Sequence, residues 1–161
     1  MLLDIIDFNR DRNKFAWDDA LEIRMYTEEV KEFFDATTTA ERIDALIDCE
    51  YVRFGTQVKM AYNGIRELPY DKSVEQIMVS TLLEEIPKEI FDNVIRQAEG
   101  IVCEANKVKP KEMVEGKVTK HKKTPNATEL IEDMLDAEMN IIFNKNKKLM
   151  DMQNEMDNDN T

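Results

Sequence analysis

Histidine is almost missing from this chain: His121 stands alone among 161 residues. One imidazole excludes a helical di-iron centre, which needs two Glu-x-x-His motifs, and a hydrolase site built on several histidines. A zinc site, which draws on His and Cys clusters, is excluded with them. Cysteine is scarce as well. Cys49 and Cys103 both fall in predicted helices and read as buried thiols, not as a bridge. Glycine and proline number four each, too few for a fold rich in sheet or turns. No apolar run reaches the ~18 residues needed to span a bilayer. The opening stretch MLLDIIDFNRDRN carries Asp4 and Asp7 inside its apolar run, unlike a signal peptide, so a cytoplasmic protein with no membrane partner is expected. A basic balance is lacking too. A net charge of -12 argues against sequence-independent nucleic-acid binding, which needs a net positive surface.

What remains favours helices. Ala, Leu, Glu, Lys and Met run long between the few breakers. The 42% hydrophobic, 35% charged composition is that of a soluble protein, and the length suits one domain with its own core. The expectation is a single all-α domain over 1–150, followed by a polar, frayed tail at 151–161. Helices are predicted over 2–10, about 18–35, 38–62, 73–84, 87–105 and from Thr128 to about 150. In the second, Ala20, Leu21, Ile23, Met25, Val30, Phe33 and Phe34 read as the apolar face, with the glutamates on a neighbouring stripe. Thr38 and Glu41 have capping-box spacing, Asn63-Gly64 marks a turn, Pro87 suits a first helical turn, and Thr128 suits a cap.

The most informative residues are acidic. Glu28, Glu29 and Glu32 share one predicted helix, and Asp44 and Asp48 the next. Spacings of three and four stack these side chains one turn above another. Two such helices packed antiparallel would aim four or five carboxylates into one gap. Bare carboxylates repel there, and a hard divalent cation with oxygen ligands, Mg²⁺ or Mn²⁺, converts the repulsion into binding. The other reading is that these are solvated faces of an acidic protein.

The stretch from Asn106 to Thr124 reverses the sign. Lys107, Lys109, Lys111, Lys117, Lys120, Lys122 and Lys123 face only Glu112 and Glu115, and Gly116 lets backbone approach a ligand. A basic loop beside a carboxylate cluster suits a metal-bound polyphosphate; a solvated loop is the alternative.

Glu28-Glu29-Val30-Lys31-Glu32 resembles the EExxE motif of the all-α nucleoside triphosphate pyrophosphohydrolases, the MazG-like superfamily that includes dimeric dUTPases and phosphoribosyl-ATP pyrophosphohydrolases. The stretch from Ile43 to Gly55 is similar to the ExxD helix of these proteins, with Asp48 at the motif's Asp. Ala45 stands where the motif has Glu, and Asp44 is the available substitute. Asn106-x-x-Lys109 and Gly116-Lys117-Val118-x-Lys120 look like the Asn-x-x-Lys and Gly-Lys-Val-x-Lys stretch of phage and bacterial members. The three segments lie in family order over roughly 18–126; the final helix has no counterpart.

The resemblance implies a helical bundle with a paired-carboxylate metal site between two antiparallel helices. It implies Mg²⁺-dependent (Mn²⁺ possible) hydrolysis of a (deoxy)nucleoside triphosphate to the monophosphate and pyrophosphate, in a homodimer or homotetramer. Glu29, Glu32, Asp44 and Asp48 would be metal ligands, and Glu28 would orient water. Asn106, Lys109, Lys117 and Lys120 would meet phosphate or sugar. Glu41 reads as the partner of Thr38, not as a ligand. Phe15, Trp17, Tyr51 and Phe54 are the candidates to stack on a base, Trp17 first. Two other classes remain open: a catalytically inactive nucleotide-binding or sensing protein, and a helical interaction protein.

Overall fold

Six helices make up nearly all of what the computed structural model describes, residues 1–109 and 126–159, with side chains up to Met156. They are α1 (Leu2–Asp11), α2 (Asp19–Asp35), α3 (Thr39–Asn63), α4 (Val74–Glu85), α5 (Lys88–Lys107) and α6 (Ala127–Asp159). Between residues 109 and 126 only the backbone of β1 (Met113–Val114) and β2 (Lys117–Val118) is described, an antiparallel ladder with Met113 opposite Val118. The fold is all-α. No described helix is long and apolar enough to cross a membrane.

The helix ends follow from local chemistry. Asp18 Oδ1 accepts from the Leu21 amide at 3.2 Å and starts α2. At the start of α3 the expected capping box is present: Thr38 Oγ1 accepts from the Glu41 amide, and Glu41 Oε2 accepts from the amides of Thr38 and Thr37. Those amide bonds hold the Glu41 carboxyl below its ordinary pKa. Gly64, at φ 70, ends α3 in the left-handed conformation that glycine adopts without steric cost. Pro87 sits at the N-cap of α5, one place before the first turn.

Two boundaries differ from expectation. Asn126 Oδ1, not the Thr128 hydroxyl, accepts from the Glu129 amide and caps α6. Thr128 lies inside the first turn, and its hydroxyl donates to Asp44 instead. At its far end α6 runs on to Asp159, through the segment expected to fray.

The core is organised around α3, which touches α1, α2, α4, α5 and α6. Ile43 and Ile47 of α3 share one core cluster with Ile5, Phe33, Met78, Leu82, Ile90, Val94 and Ile131, all buried. Each such side chain stabilises the fold by about 1.5–3 kcal/mol relative to exposure, so Ile47→Ala is a damaging single change. The short connection at 36–38 makes α2 and α3 antiparallel neighbours. The buried face of α2 is not the expected one: Glu22, Tyr26, Glu29 and Phe33 point inward at spacings of four, three and four, while Ile23 and Phe34 are exposed. Glu22 is accommodated on that inner face because Thr56 and Lys59 of α3 lie opposite it.

Candidate functional site

The antiparallel register of α2 and α3 builds a slot. From one end, Glu32, Glu29, Met25 and Glu22 of α2 run along Asp48, Val52, Gly55, Thr56 and Lys59 of α3. Each set keeps to the three- and four-residue spacing of a single helix face. At 1.5 Å per residue the lined length is about 15 Å. Ile5, Phe8 and Asn9 of α1 complete the cavity with Lys14, Asn106 and Lys109, leaving about 120 Å³. Glycine at position 55 leaves the mid-slot open; a Cβ there would come only to 3.9 Å from Ile5 Cγ2.

Five of the candidates taken from distant parts of the chain therefore share one cavity: Glu29, Glu32, Asp48, Asn106 and Lys109. Glu29 is buried at 8% exposure, Asp48 half-buried and Glu32 exposed. A second groove of about 330 Å³ adjoins the first, and Glu32 and Asp48 line both. Asp44 lies in this second groove with Asp35, Glu41 and Thr128, and its Oδ2 accepts from the Thr128 hydroxyl at 2.7 Å. Ala45 is buried beside it. Glu28 is not brought to the cavity. One residue's step of about 100° around the helix places it with Ala20, Ile23, Arg24, Thr27 and Lys31, its carboxylate 4.0 Å from Arg24. The side chains of Lys117 and Lys120 lie outside the described residues.

The carboxylates line the slot without closing on a point: among the described residues no three Asp, Glu, His or Cys groups converge as a chelate. In kind, the donor set suits a hard cation, since every candidate ligand is a carboxylate oxygen. Glu32, exposed, and Asp48, half-buried, have room to change rotamer. The charge of the cluster is felt by a neighbouring thiol. Cys49 is pushed up from its ordinary pKa chiefly by burial, then by the charge of Glu29.

The floor at the other end is a buried polar network that the sequence reading did not single out. Glu22, 1% exposed, forms an ion pair with Lys59, 2% exposed, and accepts from Thr56 Oγ1 at 2.8 Å. The Tyr70 hydroxyl donates to Thr56 Oγ1 at 2.9 Å, and burial raises the Tyr70 pKa to about 12. The Tyr70 ring stacks on Tyr26 with centroids 3.9 Å apart. Tyr26 in turn donates to Glu75, which also accepts from Arg53. The available signal was periodicity: Glu22 lies seven residues before Glu29, and Lys59 eleven after Asp48, on the same faces.

The rim beside α5 is fixed by Arg12. Its guanidinium lies 3.9 Å over the Phe8 ring and donates to the carbonyls of Lys109 at 2.6 Å and Asn106 at 3.5 Å. A cation on the last carbonyls of α5 complements the helix dipole and holds the backbone that presents Asn106 and Lys109. Asn106 is further oriented by its own bond to the Val102 carbonyl. Lys107 turns the other way, to Asp4 and Glu104. One buried donor in the cavity wall has no partner among the described residues: Nδ2 of Asn9, a residue 3% exposed. Tyr51 is the one stacking candidate that lines the slot. Trp17 donates to Asp19, Phe15 stacks on Tyr62, and Phe54 lies under Arg53.

Comparison with family models, curated proteins and solved structures returns no match. The likeness to the MazG-like proteins therefore rests on the residues themselves.

Proposed function

We propose that the protein is a Mg²⁺-dependent nucleoside triphosphate pyrophosphohydrolase whose reaction takes place in the slot between α2 and α3. The observation that carries this reading is the gathering of Glu29, Glu32, Asp48, Asn106 and Lys109, drawn from three separate motif-like segments, around one cavity. A triphosphate needs charge neutralisation and alignment of a water, more than covalent help from the protein. Lys14 and Lys109 at the rim neutralise phosphate oxygens, and Asn106 donates to phosphate or sugar. Glu29, Glu32 and Asp48, with Asp44 from the adjoining groove, would hold the cation. Once bound, it supplies polarisation of the phosphate and a more acidic water. Glu28 has no part in the set.

Glu29, buried and fixed in the wall, anchors the site, while Glu32 and Asp48, shared between the two grooves, adjust to it. A nucleotide-binding protein without turnover is the reading favoured by Ala45 at the motif position. Incubation with Mg²⁺ and each (d)NTP separates the two, because only the enzyme releases pyrophosphate. Glu32→Gln is expected to lower turnover at least about a hundredfold, given the several kcal/mol of charge stabilisation at stake, and to leave the helical fold intact. Near-normal turnover in Glu32→Gln would overturn the assignment.

A further inference from the structure

Helix α6 is about 50 Å long at 1.5 Å per residue, and among the described residues it is its first half that packs into the hydrophobic core. Ile131 and Leu135 are buried and Ile142 is partly buried in the core. From Phe143 to Met156 every residue is exposed. The apolar line does not stop where the packing stops. Ile131, Leu135, Ile142, Leu149, Met152 and Met156 follow one another at spacings of four, seven, seven, three and four, the 3.5-residue repeat of a helix that pairs with another helix. Leu149, Met152 and Met156 are 56%, 51% and 65% exposed. A contiguous apolar strip of this kind marks an interaction surface.

We propose that a second copy of this chain covers the strip, the two α6 helices crossing antiparallel about a two-fold axis between Leu149 and Met152. The charges select both the partner and the direction. The exposed half carries Lys145, Lys147 and Lys148 before Leu149, and Asp151 and Glu155 after Met150. In an antiparallel pair the basic half of each copy lies along the acidic half of the other. Lys148, one residue before Leu149, faces Glu155 of the second copy, one residue before Met156, and symmetry repeats the pair. The aliphatic stem of Lys145 then covers Met156 of the second copy while its ammonium reaches Glu155 of that copy. A parallel pair would set Lys145 against itself in the apolar seam and leave Lys148 and Glu155 without opposite charges. The strip is continuous with the face already buried on α3 and α5, so the same helix joins each protomer to its own core and to its twin.

The test is sedimentation of the full-length protein from about 1 µM to about 500 µM, the range in which small interfaces assemble. A monomer–dimer equilibrium is expected. Leu149→Asp should raise the dimer dissociation constant at least about tenfold, as loss of a central apolar anchor does. Its helicity and melting midpoint at low concentration should be unchanged, because position 149 lies outside the packed body. Lys148→Glu and Glu155→Lys should each raise the constant about fivefold, and the double variant should return close to the wild type, since the charges have only exchanged places. A monomer throughout the range overturns the proposal. So does a dimer indifferent to Leu149→Asp, and a double variant no better than its parents rejects the antiparallel arrangement.

Discussion

The hydroxyl of Thr128 donates to Oδ2 of Asp44 at 2.7 Å, tying the first turn of α6 to α3 one turn before Asp48. A carboxylate held in this way keeps one lone-pair direction fixed and the other oxygen available. Such outer contacts tune ligands, and their loss costs roughly ten- to a hundredfold in metal affinity or activity. Thr128→Val should therefore raise the Mg²⁺ concentration for half-maximal turnover about tenfold and leave the rate at saturating Mg²⁺ near normal. Asp44→Ala should shift the same curve further. A Thr128→Val variant with an unchanged Mg²⁺ titration and a lowered melting midpoint would make Asp44 an anchor for α6 only.

The ion pair between Glu22 and Lys59 is sealed at 1% and 2% exposure. Removing one member leaves a buried charge without its counter-charge. Lys59→Met should cost about 3–5 kcal/mol in urea unfolding, and Glu22→Leu combined with it should recover most of that loss. If Lys59→Met alone is benign, water reaches Glu22 and the cavity floor is open.

Asn9 carries the opposite kind of defect, a buried donor with nothing to bind among the described residues. An unsatisfied buried group costs about 1–3 kcal/mol. Asn9→Leu, of similar volume, should stabilise the ligand-free protein by about 1 kcal/mol and weaken nucleotide binding roughly tenfold, measured by unfolding and by titration. Equal nucleotide affinity in Asn9→Leu would mean that the amide faces no ligand.

Glu50 gives the pH dependence a sign. Burial, and then the charge of Glu75, raise its pKa above the ordinary 4.5, with Arg53 opposing. A carboxyl with a raised folded pKa holds its proton more tightly when folded. Its ionised form is therefore a liability above that pKa, and the liability is relieved as pH falls through it toward 4.5. Glu50→Gln should be more stable than the wild type at about pH 8, with the difference vanishing by about pH 4. A difference that grows on acidification would reverse the assignment.

The helical class and most helix ends were legible in the sequence because they are local. Asp18, the Thr38–Glu41 box and Gly64 act on neighbours within four residues, and spacing alone reveals them. The acidic end of the slot was legible for the same reason, since one helix face was enough to group Glu29 with Glu32. The inward face of α2 was not. Ile23 and Phe34 read as part of the apolar face because hydrophobicity ranks them above Glu22, and only the presence of Thr56 and Lys59 opposite makes burial of that carboxylate affordable. Arg12 was invisible for a related reason: its meaning depends on the end of α5, nearly a hundred residues away. The exchange of roles between Asn126 and Thr128 likewise turns on Asp44, which no local pattern can supply.

The face-to-face tyrosines at the cavity floor make the protein report on itself. The rings of Tyr26 and Tyr70, 3.9 Å apart and inclined by 7°, are close enough for their electronic transitions to couple, and fixed packing of this kind is what near-ultraviolet circular dichroism detects. Their hydroxyls end on Glu75 at one side and, through Thr56, on Glu22 at the other. A disturbance of the slot therefore has an optical signature to which this pair contributes, and it needs no added label.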